Sequence, residues 1–200
     1  MVPVTRDFQS DTPLPAKTLA HLSEIFGRDW PSPEKLHHRS RQVAIHLESA
    51  KESVAHFLAI EPAELEIIGG TSTALSLGIS GLLTDNATHF YFGATDRRTS
   101  GAAASIFEKR GGKSTRLESD VTGQITYSNI SESSAATAWQ SVNRETGVIQ
   151  QSSPINGSIC ADMTCGPFAQ LPARWDTAIW EPASWGGPRG IGLLAINKSS

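Results

Sequence analysis

The sequence predicts an α/β protein, a three-layer α/β/α sandwich built on a mostly parallel sheet of about seven strands. Three observations carry that prediction. Short runs rich in β-branched and aromatic residues recur along the chain. Segments with apolar residues at helical spacing fall between several of them. Gly, Pro, Asn and Asp punctuate the junctions. Two hundred residues bury one good core, so a single domain over 1–200 is expected, with an N-terminal arm and short helix in 1–40 and the α/β core in 41–200.

Leu19, Leu22 and Phe26 share one face of a short helix over Thr18 to Phe26, with Gly27 as its expected stop. A longer helix starts near His38, because Val43, Leu47, Ala50, Val54, Phe57 and Leu58 follow steps of three and four. Glu61, Pro62 and Glu64 mark the turn after it. Leu65 to Ile68 then reads as a strand, Gly69–Gly70 as a turn and Ser72 to about Leu83 as a helix. Further strands are expected at Thr88 to Phe92, Ser114 to Leu117, Thr137 to Val142, Ser158 to Ala161, Thr177 to Trp180 and Leu193 to Ile196. A fourth helix fits Ser100 to Arg110, closed by Gly111–Gly112. Ser128 to Ser134 reads as a loop or short helix, and Ser152 to Gly157 as a surface loop.

Composition removes several function classes. Seventeen basic against 20 acidic residues give a net charge of −3, which offers no electrostatic case for nucleic acid. No apolar run approaches the ~20 residues of a membrane span, and no signal-peptide core is visible at the N-terminus. Cys160 and Cys165 are the only cysteines and read as reduced thiols, so a cytoplasmic location is expected. The histidines (His21, His37, His38, His46, His56 and His89) fall at no metal-ligand spacing.

Two positions carry recognisable chemistry. Gly69, Gly70 and Thr71 follow a strand and open a helix, where amides and a hydroxyl bind phosphate well; an ordinary helix N-cap explains the same residues. Asp162 falls at a strand end, where open α/β sheets place ligand contacts, or caps that strand without further role.

Five pieces, in order, resemble the cysteine desulfurases and their class V aminotransferase relatives, fold-type-I proteins of pyridoxal phosphate (PLP). Asp7, Thr12 and Pro13 match part of the family's opening, and Pro31-Ser32 through Leu36-His37 to Arg41 is similar to its next motif. Ile68-Gly-Gly-Thr-Ser-Thr-Ala74 matches the phosphate-cradling turn. Val142-Asn-Arg-Glu-Thr-Gly-Val-Ile-Gln150 is close to Val-Asn-Asn-Glu-x-Gly-x-x-Gln, and Ala161-Asp162 with Leu171-Pro172 follows. Glu181 to Gly192 then resembles the segment reading His-Lys-x-x-Gly-Pro-x-Gly-x-Gly, whose lysine holds PLP as a Schiff base.

In this chain the lysine position is Ser184 and the preceding His position is Ala183. The resemblance implies a cofactor site of Gly70, Thr71, Asp162, Ser184, Arg97 and Arg144, in which Asp162 pairs with the pyridinium nitrogen. It also shows what has changed. Arg97 stands at the ring-stacking His, Arg144 at an Asn that contacts the phenolic oxygen and Cys165 at a Gln. A guanidinium stacks but cannot shuttle a proton at neutral pH, and Ser forms no imine. Lys198, the only lysine after Lys113, falls at the far end of the last strand. Trp185 is a large ring where the family has a small side chain, and it is expected to fill the space of the PLP ring.

Between Glu145 and Asp162 a loop stands where the family has a crossover helix, and the sequence ends before the family's small C-terminal domain. No catalytic residue is assigned. The reading is therefore a desulfurase-like protein without covalent PLP, catalytically inactive on its own. It would act by binding or dimerisation, as a homodimer or a heterodimer with a complete homologue. The alternative is a PLP-dependent cysteine desulfurase or aminotransferase completed by a partner chain; a truncated product without function is a third reading.

Overall fold

The computed structural model describes residues 13–84, 86–127, 130–151, 155–166 and 170–198. Asp7 and Thr12 of the first motif lie outside them, as do parts of the two Ser-rich loops.

The chain enters through α1 (Ala16–Arg28) and α2 (His38–Leu58). Helix α1 passes through the expected stop at Gly27 and ends where Asp29 returns its amide to the Ile25 carbonyl. Asp29 also accepts two hydrogen bonds from Arg28 and one from His46 of α2, which ties the two helices together. Helix α2 starts at His37, whose Nδ1 accepts the Ser40 amide at 3.3 Å. It closes through Ala59 in the left-handed region, with φ of 55°, where the Ile60 amide reaches back to Ala55.

A 3₁₀ turn (Pro62–Glu64) leads to β1 (Leu65–Ile68), and α3 (Thr71–Leu82) follows. Then come β2 (His89–Gly93), α4 (Arg98–Lys109), β3 (Lys113–Leu117), β4 (Ala135–Gln140), β5 (Ser158–Asp162), β6 (Thr177–Trp180) and β7 (Gly192–Ile196). They form one seven-stranded sheet in the order β1-β7-β6-β5-β4-β2-β3. Only β7 runs antiparallel, against both β1 and β6. The α/β class and the mostly parallel sheet are as the sequence predicts.

Side chains alternate across the central strands, as a sheet covered on both faces requires. Ala136, Ala138, Cys160, Ile179 and Leu194 meet Leu75 and Ile79 of α3 and Phe107 of α4 on one face. Trp139, Ile159, Ala161, Trp180 and Leu193 face the other way. That second face is covered by Ala55 and Leu58 at the end of α2 and by irregular chain carrying Ile125, Tyr127, Ile130 and Ile155. Among the described residues, no helix lies between β4 and β5, in agreement with the expected loop there.

The parallel strands bring their C-terminal ends to one edge of the sheet. Arg97 follows β2 there, Arg144 follows β4, Asp162 ends β5 and Glu181 follows β6. Because β7 is antiparallel, its first residue Gly192 lies at the same edge, opposite Ile68 and next to the start of α3. The topology thus collects chemistry from segments far apart in sequence, as open α/β sheets do at their carboxyl ends.

Candidate functional site

At the strand ends, two guanidinium groups meet two carboxylates. Arg97 donates from Nη2 to Thr164 Oγ1 at 2.7 Å and to Glu181 Oε2 at 3.1 Å. Its Nε lies 3.5 Å from Asp162 Oδ2. Thr164 in turn donates to Asp162 Oδ1 from both its amide (3.0 Å) and its hydroxyl (2.5 Å). Arg144 reaches the same Glu181 oxygen at 3.0 Å. The carboxylate of Asp162 is 8% exposed and that of Glu181 20%, so this cluster sits in a screened but not dry environment.

The positions are set by local geometry. Asp96 folds back in the turn after β2 and accepts the Gly93 amide at 2.9 Å. A Cβ on Gly93 would stand 2.8 Å from Asp96 Oδ1, so glycine is what lets that carboxyl fold back against the turn. Burial pushes the Asp96 carboxyl up to about 8; the Gly93 amide pulls it down and nearby Asp162 adds to the rise. At neutral pH Asp96 is mainly a neutral acid, leaving Asp162 and Glu181 to face the two arginines.

The Val142-to-Gln150 motif proves to be a set of staples. Asn143 Oδ1 accepts the amides of Glu145 and Thr146, and its Nδ2 donates to Thr95 O and Gln140 Oε1. Gln150 is 4% exposed, accepting the Ile125 amide and donating to Gly123 O. These residues tie the loop after β4 to Thr95 and to the chain around Gly123 and Ile125.

Of the six site residues expected from sequence, Arg97, Arg144 and Asp162 are brought together. Ser184 sits in a 3₁₀ turn (Pro182–Trp185), with its hydroxyl donating to the Glu181 carbonyl at 2.8 Å. Gly70, with φ of 105°, turns the chain into α3, and Thr71 is that helix's first residue. No hydrogen bond or ion pair among the described residues joins Gly70 or Thr71 to the arginine cluster. Gly192 explains why this end is so small: a Cβ there would lie 2.8 Å from Gly70 O and 2.9 Å from Thr71 Cα.

Three side chains stand elsewhere than the ring site or do other work. The Trp185 ring packs against the second-face core and lies 6.3 Å from Phe57 of α2, while Arg97 stands beside the Asp162 carboxylate. The amine of Lys198 donates to Ala63 O at the β1 edge. Cys160 is buried against α3, with its thiol pushed up to about 12 by that burial. Sequence reasoning missed Thr164 and Glu181. An acid directly after a fully buried strand was the available signal for Glu181.

Solved structures carry the same architecture. A NifS-like protein matches with a TM-score of 0.86 at 16% identity, covering 97% of this chain and 59% of that one. The chain has the NifS-like fold. SspA, in a structure of its complex with cysteine, matches with a TM-score of 0.84 at 20% identity over 96% of this chain and 61% of its own. DndA from Streptomyces lividans gives 0.80 at 17% identity, with 98% and 59% covered. This chain therefore spans about three fifths of the length of these proteins. No family model matches the sequence, and no curated protein matches it. The NifS-like fold is the one the ordered motifs resemble. Within it, no described helix is long and apolar enough to cross a membrane, and no described group of His, Cys, Asp or Glu could hold a metal ion.

Proposed function

We propose that this chain is a cysteine desulfurase-like protein that does not run PLP chemistry by itself and acts through binding or dimerisation. One observation supports this reading above the rest: Arg97 occupies the carboxylate that would have to serve a pyridinium. Asp162 already has a cation at 3.5 Å and two hydrogen bonds from Thr164. The residues present do not fit a covalently held PLP. Position 184 offers a hydroxyl turned onto its own backbone, and Glu181 brings negative charge into the same space.

The binding half of the proposal draws on α1 and α2. Helix α1 buries none of its residues, and Phe26 and Trp30 are 75% and 69% exposed. Ile45, Leu47 and Phe57 of α2 are exposed as well. An apolar surface of this kind ordinarily meets another chain. A second copy or a complete homologue is the proposed partner.

The test is enzymatic and hydrodynamic together. Purified protein is mixed with PLP and cysteine, alone and with any co-purifying chain, while visible absorbance, sulfide release and native mass are followed. The proposal expects no PLP-dependent sulfide from the chain alone and a mass above that of a monomer. Sulfide release by the chain alone would overturn the first half, and a strict monomer with no partner the second. Sulfide release only with a second chain would instead establish an enzyme completed by its partner.

A further inference from the structure

Helix α2 is 21 residues long, yet from Arg41 to Val54 it buries no side chain; its buried residues are Ser40, Ala55 and Leu58 at its two ends. Helices are held mainly by packing one face against other elements, so a bare middle of this length lacks its cover. Charge is also placed against the helix. The first turn carries Arg39 and Arg41 and no acid, whereas a helix N-terminus favours acids. Glu48 and Glu52 stand in the second half. Among the described residues, the side chains of Arg41, Glu48 and Glu52 make no hydrogen bond or ion pair. Two rows at i, i+4 spacing, Arg41-Ile45-Ser49 and Ala44-Glu48-Glu52, flank an open hollow of about 340 Å³ on this face. Ile45 is 61% exposed there.

On the dimerisation reading above, we infer that the middle of α2 is a self-complementary docking surface, on which α2 of a second copy lies antiparallel across a twofold axis. Centred between His46 and Leu47, that pairing sets Arg41 opposite Glu52, Ala44 opposite Ser49 and Ile45 opposite Glu48, each contact occurring twice. One row of each copy then lies along the other row of its mate, ridge into groove. Ala44 and Ser49 are small enough for the helices to come close, and Ile45 supplies an apolar centre. Glu48 falls one turn from Arg41 of the second copy. The half of α2 that carries bases thus meets the half that carries acids, whereas parallel helices would set like charges side by side. A second copy brings this two-ended pattern by necessity; an unrelated partner would have to match it. Six side chains cover less than the ~800 Å² per partner of a standard interface. Phe26 and Trp30, exposed on the segment that Asp29 ties to His46 of α2, extend the apolar area.

The test is sedimentation equilibrium of the whole chain. Arg41→Glu and Glu52→Arg each set like charges at both contacts and should weaken the dimer about tenfold or more. An equimolar mixture of the two variants should restore it, because every contact then pairs opposite charges. Ile106→Glu, on an exposed position of α4, should leave the dimer unchanged. All three positions are exposed, and far-ultraviolet circular dichroism confirms that each variant is folded. A parent dimer that both α2 variants leave intact would overturn this surface while the dimerisation reading stands. Weakening in the single variants without recovery in the mixture would overturn it too. A parent chain that stays monomeric would overturn it as well; capture of a co-purifying homologue would then keep the earlier reading with a different partner.

Discussion

Two regions at one edge of the sheet are held by different things. At the start of α3, Gly70, Thr71 and Gly192 keep a backbone arrangement: a positive-φ turn and a helix packed against β7 with no room for a side chain. At the ends of β2, β4, β5 and β6 the backbone arrangement is also present, but the space is filled by Arg97, Arg144, Asp162 and Glu181 paired with one another. Packing explains the difference. The glycines are held by close contacts that folding itself requires. The strand-end groups range from the buried Asp162 to the 43% exposed Arg144, so solvent reaches part of the cluster and its charges compensate one another.

That contrast is open to attack by substitution. Gly192→Ala should do the most damage, because its methyl meets backbone atoms of Gly70 and Thr71 at 2.8–2.9 Å that cannot move aside. A loss of about 3 kcal/mol is expected from overpacking, read as a fall in Tm on the order of 10 °C. Arg97→Ala leaves Asp162 and Glu181 without their shared cation. It should cost roughly 2 kcal/mol in denaturant titration, less than a fully buried pair because solvent screens the cluster.

Asp96 gives a pH signature. Its folded-state carboxyl titrates near 8 against an ordinary value of 3.8. Its contribution to stability is therefore complete below about pH 4 and is lost as pH rises towards 8. Asp96→Asn keeps an acceptor for the Gly93 amide and removes that titration. Between pH 6 and pH 7 the variant should gain about 1 kcal/mol relative to the parent in thermal melts. A pH-independent difference would show that Asp96 is ionised throughout. The smallest effect is expected for Arg144→Ala, about 0.5 kcal/mol, because its side chain is 43% exposed. If Arg144→Ala proved as costly as Arg97→Ala, the assignment of Arg97 as the central cation would fail.

Much of the fold was legible because period and punctuation agreed. Strands β1 and β6 fall where expected from their apolar runs, and α4 differs by one or two residues at its ends. Strand β4 begins and ends two residues earlier than its β-branched pattern suggested. Ala135 and Ala136 are poor strand formers pulled in by burial, while Val142 has left for a bridge with Ile149. The site was only half legible. Arg97 and Arg144 each read as a departure from a pattern, yet Glu181, 84 residues from one and 37 from the other, is what makes them a unit. Such pairing follows from strand order, which no local spacing encodes. The size of Trp185 suggested a plug for the ring site, and its contact with Phe57 of α2 joins positions more than a hundred residues apart, which local spacing does not show.

The central claim is that this strand-end site is closed by the chain's own charges and not merely short of a lysine. Ser184→Lys tests it most directly, with PLP titrated against the variant, borohydride added and the site of attachment read by peptide mass spectrometry. The account predicts no stoichiometric attachment at position 184 unless Arg97→Ala is introduced as well. Full attachment there in the single variant would contradict it, and would mean that the absence of a lysine at position 184 is by itself what keeps PLP from attaching.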